Sequence, residues 1–109
     1  MCIRDRGGTL VESDGETRRV RAAEVTLEVL GYWTSAQTGA RYPSGWRVRV
    51  PSTSLDLEVR PWIPAQEMRT SFTYWEGAVR IDGTSAGAPV SGQGYVELTG
   101  YAKTMKGVF

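Results

Sequence analysis

At 109 residues the chain has room for one small domain, or a piece of a larger one, and not for two independent cores. Thirteen Lys and Arg against twelve Asp and Glu leave a formal charge of +1, which gives no field for steering toward nucleic acid. The absence of histidine and the presence of a single cysteine, Cys2, exclude zincins, Ser-His-Asp hydrolases, internal disulfide frameworks and thiolate metal clusters.

Residues 1–6, Met1-Cys2-Ile3-Arg4-Asp5-Arg6, lack the apolar middle of a signal peptide and read as a non-native leader, with the native N-terminus expected to be missing. No later apolar run approaches the roughly 18 residues that cross a bilayer as a helix. Alternation of period two begins near Thr9 and is interrupted at Asp14-Gly15, a pair that tolerates the positive φ of a hairpin turn. Arg18, Arg19 and Arg21 follow as the solvated face of a strand, with no role assigned. Val25, Leu27 and Val29 alternate with Glu24, Thr26 and Glu28, predicting a half-buried strand.

The stretch Thr34 to Gly45, punctuated by Gly39, Pro43 and Gly45, predicts a loop at a barrel mouth. Trp46, Val48 and Val50 then alternate with Arg47 and Arg49, and Leu55, Leu57 and Val59 with Asp56, Glu58 and Arg60. Pro61 cannot donate a ladder hydrogen bond and should end or edge that strand, with Pro61 to Thr70 read as a second loop. From Phe72 to Asp82, Trp75, Gly77, Val79 and Ile81 share one face and Tyr74, Glu76, Ala78 and Arg80 the other. Asp82-Gly83 reads as a hairpin signal before a final strand from Val90 to about Tyr101, and the tail 103–109 has no pattern of its own. Gly77, Gly92, Gly94 and Gly100 read as points of curvature; Gly92-Gln-Gly94 is not a phosphate loop, because no helix follows it.

The sum is all-β: about six strands in an antiparallel meander, forming a partial or complete lipocalin-like barrel over residues 7–102. A closed barrel around one small ligand wants about eight strands, so the count favours a portion of a longer protein. Aromatic residues are the first candidates for a ligand wall, with Tyr74, Trp75, Tyr95, Trp33 and Trp46 placed on or beside strands; core packing accounts for the same residues. Glu76 and Glu97 are the candidate acids, since a carboxyl in an aromatic setting has its pKa raised and could donate a proton. The competing reading places both on the solvated face, paired with Arg80 or a lysine. Nothing in the chain matches a metal-ligand spacing.

Four segments, Trp33-Thr-Ser-Ala-Gln-Thr-Gly-Ala-Arg-Tyr-Pro43, Ser44-Gly-Trp-Arg-Val-Arg-Val-Pro51, Tyr74-Trp-Glu-Gly-Ala-Val79 and Gly94-Tyr-Val-Glu-Leu-Thr-Gly-Tyr101, resemble in order and spacing the lipocalin-like AttH and carotenoid 1,2-hydratase (hydroxyneurosporene synthase) family. The resemblance runs from Gly8 to Ala102 and fits the C-terminal part of such proteins. It implies a barrel that binds an apolar isoprenoid or lipid. In a hydratase it implies water added across a C=C bond, a hydro-lyase reaction that needs no cofactor. Functional histidine and aspartate expected of the hydratases find no histidine here, so no residue is carried over. The partners implied are the apolar molecule, an N-terminal domain of the same chain and, through the ligand, the neighbourhood of a membrane surface. A bacterial envelope or secreted location goes with it. The alternative function is a structural barrel packed on the N-terminal domain of a secreted hydrolase-like protein; no nucleophile and base pair supports hydrolysis within this chain.

Overall fold

Alternating apolar and charged residues can bury one face of a sheet and solvate the other, and this governs nearly every element of the computed structural model. The structure describes residues 7–102, so the expected leader at 1–6 and tail at 103–109 lie outside the described residues. Ten strands run in order: β1 (Gly7–Val11), β2 (Thr17–Arg21), β3 (Thr26–Val29), β4 (Tyr32–Thr34), β5 (Arg41–Pro43), β6 (Trp46–Val50), β7 (Leu55–Pro61), β8 (Glu67–Arg69), β9 (Thr73–Ser85) and β10 (Ala88–Leu98). Two single-turn 3₁₀ segments, Ala22–Glu24 and Pro51–Thr53, link strands.

The main sheet is antiparallel in the order β10-β9-β7-β6-β3, with β8 also paired to β9, and it forms a half-barrel. Hairpins β1-β2 and β4-β5 form two smaller sheets. The connectivity is the expected meander with two insertions, and those insertions account for most of the difference from six strands. The segment expected as a loop from Thr34 to Gly45 carries β5 and the last residue of β4, and that from Pro61 to Thr70 carries β8; each of these strands is three residues long and so too short to display a period.

Residues opposite one another in an antiparallel ladder point to the same side. One side therefore collects Val29, Trp46, Val59 and Ile81 in one row and Leu27, Val48 and Leu57 in the next. Along the β9-β10 pair, Trp75 faces Leu98, Gly77 faces Val96, and Val79 faces Gly94. This is the inner face. The outer face collects Arg47, Glu58 and Asp82, and beside them Arg49, Asp56 and Thr84. There Arg47 holds Asp56 through two hydrogen bonds of 2.9 Å.

The core has two centres on the inner side. Trp46, Val59 and Val79 form one, and Ala40, Tyr42, Trp75 and Ala102 the other; Val96 and Leu98 pack against both. Burying a side chain of this size is worth about 1.5–3 kcal/mol, so these few residues supply much of the drive for closure.

Two turn signals meet different fates. At Asp14-Gly15, Gly15 has φ 91° and donates to the Glu12 carbonyl at 2.9 Å, forming the expected hairpin. Asp82-Gly83, in contrast, lies inside β9. The turn is made three residues later by Ala86 and Gly87, with φ 50° and 82°, and Ala86 donates to the Ser54 carbonyl at 2.9 Å. Gly83 is needed for a different reason: a Cβ there would collide with the Asp56 carbonyl oxygen and come 2.8 Å from Leu57 Cα, so β7 could not lie as close.

Candidate functional site

The two segments expected as barrel-mouth loops meet. In the β4-β5 hairpin Trp33 pairs with Tyr42, and residues 35–40 close the turn through Ser35 N–H to the Ala40 carbonyl at 2.8 Å and Gly39 N–H to the Ser35 carbonyl at 2.9 Å. Ser35 Oγ accepts the amides of Gln37 and Thr38 at 3.2 and 3.1 Å, and Thr38 Oγ1 accepts that of Ala40 at 3.2 Å. With their lone pairs engaged by the backbone, both hydroxyls have one hydrogen to give, and its direction is set by the turn.

That hydrogen goes to Glu67. Pro64 to Gln66 bring the chain across β9, with Trp75 Nε1 donating to the Pro64 carbonyl at 2.8 Å and Gln66 Nε2 to the Ile63 carbonyl at 2.6 Å. The Gln66 side chain thereby covers Gly77, where any Cβ would intrude on it. Glu67 pairs with Trp75 in register, so its carboxylate lies on the inner side of the sheet. Ser35 Oγ donates to Glu67 Oε1 at 2.7 Å; Thr38 Oγ1 and Tyr42 Oη both donate to Oε2 at 2.7 Å.

Burial works to raise the Glu67 pKa, but the three hydroxyls and the nearby Arg69 overcome it and hold the carboxyl below its usual value. Tyr42 is pushed well up, first by burial and then by Glu67, and stays a neutral donor. Beside this cluster is a depression of about 260 Å³ lined by Trp33, Ser35, Gln37, Ala65, Glu67 and Arg69. Trp33 stacks on Tyr42 with ring centroids 6.0 Å apart.

The residues singled out from sequence divide between the two faces. Trp46 and Trp75 are buried on the inner side, and Trp33 packs against the same core while lining the depression. Tyr74, Glu76, Tyr95 and Glu97 gather on the outer face, with Glu76 directly opposite Glu97 in the β9-β10 register. Glu76 is half-buried and accepts the Tyr74 hydroxyl at 2.8 Å, whereas Glu97 is exposed and Tyr95 is 64% exposed. That hydrogen bond to Glu76 raises the Tyr74 pKa. Trp75 cannot join its neighbours Tyr74 and Glu76, because adjacent residues of a strand point to opposite sides. Among the described residues no group of three or more His, Cys, Asp or Glu is placed to hold a metal.

Sequence reasoning missed Glu67, Ser35, Thr38 and Tyr42. Three of the four lie in the Trp33-to-Pro43 segment that carries the family resemblance, and the usable signal was a hydroxyl-rich turn around Gly39.

Comparison with known proteins agrees with this architecture. A family model described as AttH-like matches residues 4–101. No curated protein is significantly similar to the chain. Among solved structures, an AttH protein from Nitrosomonas europaea is 35% identical with a TM-score of 0.75, covering 89% of this chain and 30% of its own. Kievitone hydratase from Nectria haematococca is 21% identical with a TM-score of 0.72, covering 88% of this chain and 31% of its own. The chain thus spans about a third of the length of either neighbour.

Proposed function

The chain belongs to the AttH-like family, and from that premise we propose that its half-barrel forms one wall of a cavity that encloses an apolar ligand of the isoprenoid or lipid class. The observation that carries this reading is the inner face: its apolar rows continue to β3, where Leu27 and Val29 remain 42% and 38% exposed. Apolar rows left open in this way suit a ligand or further chain laid against them. Between the β1-β2 hairpin and the sheet, a recess of about 240 Å³ lined by Leu10, Val20, Val25, Val48, Val50 and Leu55 extends the same surface.

For the whole protein we assign addition of water across a C=C bond, the hydro-lyase chemistry that the family resemblance implies; the hydratase among the structural neighbours supports it. In this reading Trp33, Trp46 and Trp75 are walls of the cavity. Glu76 and Glu97, with Tyr74 and Tyr95 beside them, lie across the sheet from these walls, so as candidate acids they would serve a substrate held against the outer face by the rest of the longer chain. Replacing each glutamate by glutamine in the full-length protein should abolish hydration of an acyclic carotenoid if that glutamate is the proton donor. Full activity in both variants removes them from the mechanism.

A second reading rests on Trp75 and Tyr42, each 1% exposed and wholly engaged in packing. On that evidence the module is structural and packs on the remainder of the chain. Titration of the intact protein with retinol separates the two: saturable quenching of Trp emission supports a ligand cavity, and unchanged emission supports the structural barrel.

A further inference from the structure

Glu67 holds a charge on the apolar side of the sheet, and its three hydroxyl partners do not exhaust it. Each carboxylate oxygen offers about two acceptor positions. Oε2 fills both with Thr38 and Tyr42, while among the described residues Oε1 receives a side-chain hydrogen bond from Ser35 alone. Ser35 and Thr38 have each given their one hydrogen, so neither hydroxyl has a second donor to offer. The depression is lined by Glu67 and by the Oε1 partner Ser35 but not by the Oε2 partners Thr38 and Tyr42; it is walled by Trp33 and bordered by Arg69 and Gln37.

We propose that this depression seats the hydroxyl end of the apolar ligand, an alcohol or phenol whose O–H is accepted by Glu67 Oε1. The proposal rests on the cavity reading above and adds the head group to it. Two charges of opposite sign line the seat. A carboxylate head is attracted by Arg69 but opposed by Glu67, an ammonium head the reverse, so neither gains a net field while each gives up the hydration of its own charge. A hydroxyl meets neither penalty, because it donates to the carboxylate and accepts from the guanidinium. Apolar side chains continue from the seat along the inner face: Trp33 packs on the cluster of Tyr42, Trp75 and Ala102, which shares Val96 and Leu98 with the cluster of Trp46, Val59 and Val79. The apolar recess by Leu55 lies toward the far end of β9, since Leu55 pairs with Ser85 whereas Glu67 pairs with Trp75. At 3.3 Å per residue those two positions are about 33 Å apart, so the polar and apolar recesses occupy opposite ends of one face.

The test is a series of ligands with one C10 body and different heads, namely geraniol, geranic acid, geranylamine and the hydrocarbon myrcene, each displacing retinol from the full-length protein at pH 7. Geraniol should bind about tenfold tighter than either charged analogue, the equivalent of one charge-assisted hydrogen bond kept rather than opposed. Glu67→Gln should bring geranic acid to within about threefold of geraniol, and Arg69→Gln should do the same for geranylamine, each on the scale of one charge removed. These are opposite selectivity changes that general destabilisation does not produce. If Glu67→Gln does not fold, the wild-type series and Arg69→Gln still decide. Equal binding of all four ligands overturns the hydroxyl seat and leaves the cavity reading standing. Failure of every ligand, myrcene included, overturns both.

Discussion

Glu67 ties the β4-β5 hairpin to β8 through a single carboxylate, so its truncation strands three donors at once. Ser35 is 3% exposed and Tyr42 is 1% exposed, and neither hydroxyl can turn to water in place. Glu67→Ala should lower the unfolding free energy by about 3 kcal/mol, whereas Tyr42→Phe, which removes one bond and leaves Ser35 and Thr38 satisfied, should cost about 1 kcal/mol. Urea denaturation of the two variants checks the ratio. The pH dependence follows from the direction of the shift. The folded pKa of Glu67 lies below 4.5, so its contribution is complete above that value and is lost as the pH falls through the folded pKa. Wild-type stability should therefore decline on acidification below about pH 4.5 more steeply than that of Glu67→Gln. Parallel acid profiles for the two proteins would count against a charged Glu67. None of this was legible locally, since Glu67-Met68-Arg69 has no distinguishing pattern and only the register with Trp75 turns the carboxylate inward.

Strands were legible wherever five or more residues alternate, as in β6, β7 and the first half of β9, because period two reports directly which face is buried. Pro61 ends β7 as its missing N–H requires. The signal failed where one dipeptide serves two purposes: Asp82-Gly83 has turn chemistry, yet it continues β9 because Asp82 belongs to the charged face and Gly83 admits β7. The two glycines of β9 separate these causes experimentally. Gly83→Ala sets a methyl group against the backbone of Asp56 and Leu57, which cannot move without parting the ladder, and should destabilise by about 2 kcal/mol. Gly77→Ala meets only the end of the Gln66 side chain, which can swing away, and should cost under about 1 kcal/mol. Thermal unfolding of both variants gives the comparison, and a larger loss at Gly77 would refute the assignment.

For the molecule as a whole, the sheet ends in β3 and β10, each hydrogen-bonded on one side only among the described residues. Open edges beside partly exposed apolar rows favour association. The 109-residue chain alone should sediment as a mixture of monomer and larger species, and Val29→Lys, placing a charge on the β3 edge, should shift it toward monomer; a wild-type chain that sediments purely as monomer contradicts this. The fold class was legible at this scale because alternation is additive over many strands. The interior site was not, because it is made by two irregular segments that meet only when the sheet curves. β9 has the opposite character from those edges. It pairs with β10 from Trp75 to Ser85 along one side and, along the other, with β7 from Val79 to Ser85 and β8 from Thr73 to Trp75, the gap being bridged by Trp62 N–H to the Ala78 carbonyl and Glu76 N–H to the Gln66 carbonyl. Its central amides have no frayed flank from which a denaturant could start unzipping, and separating β9 from either neighbour leaves the other still zipped.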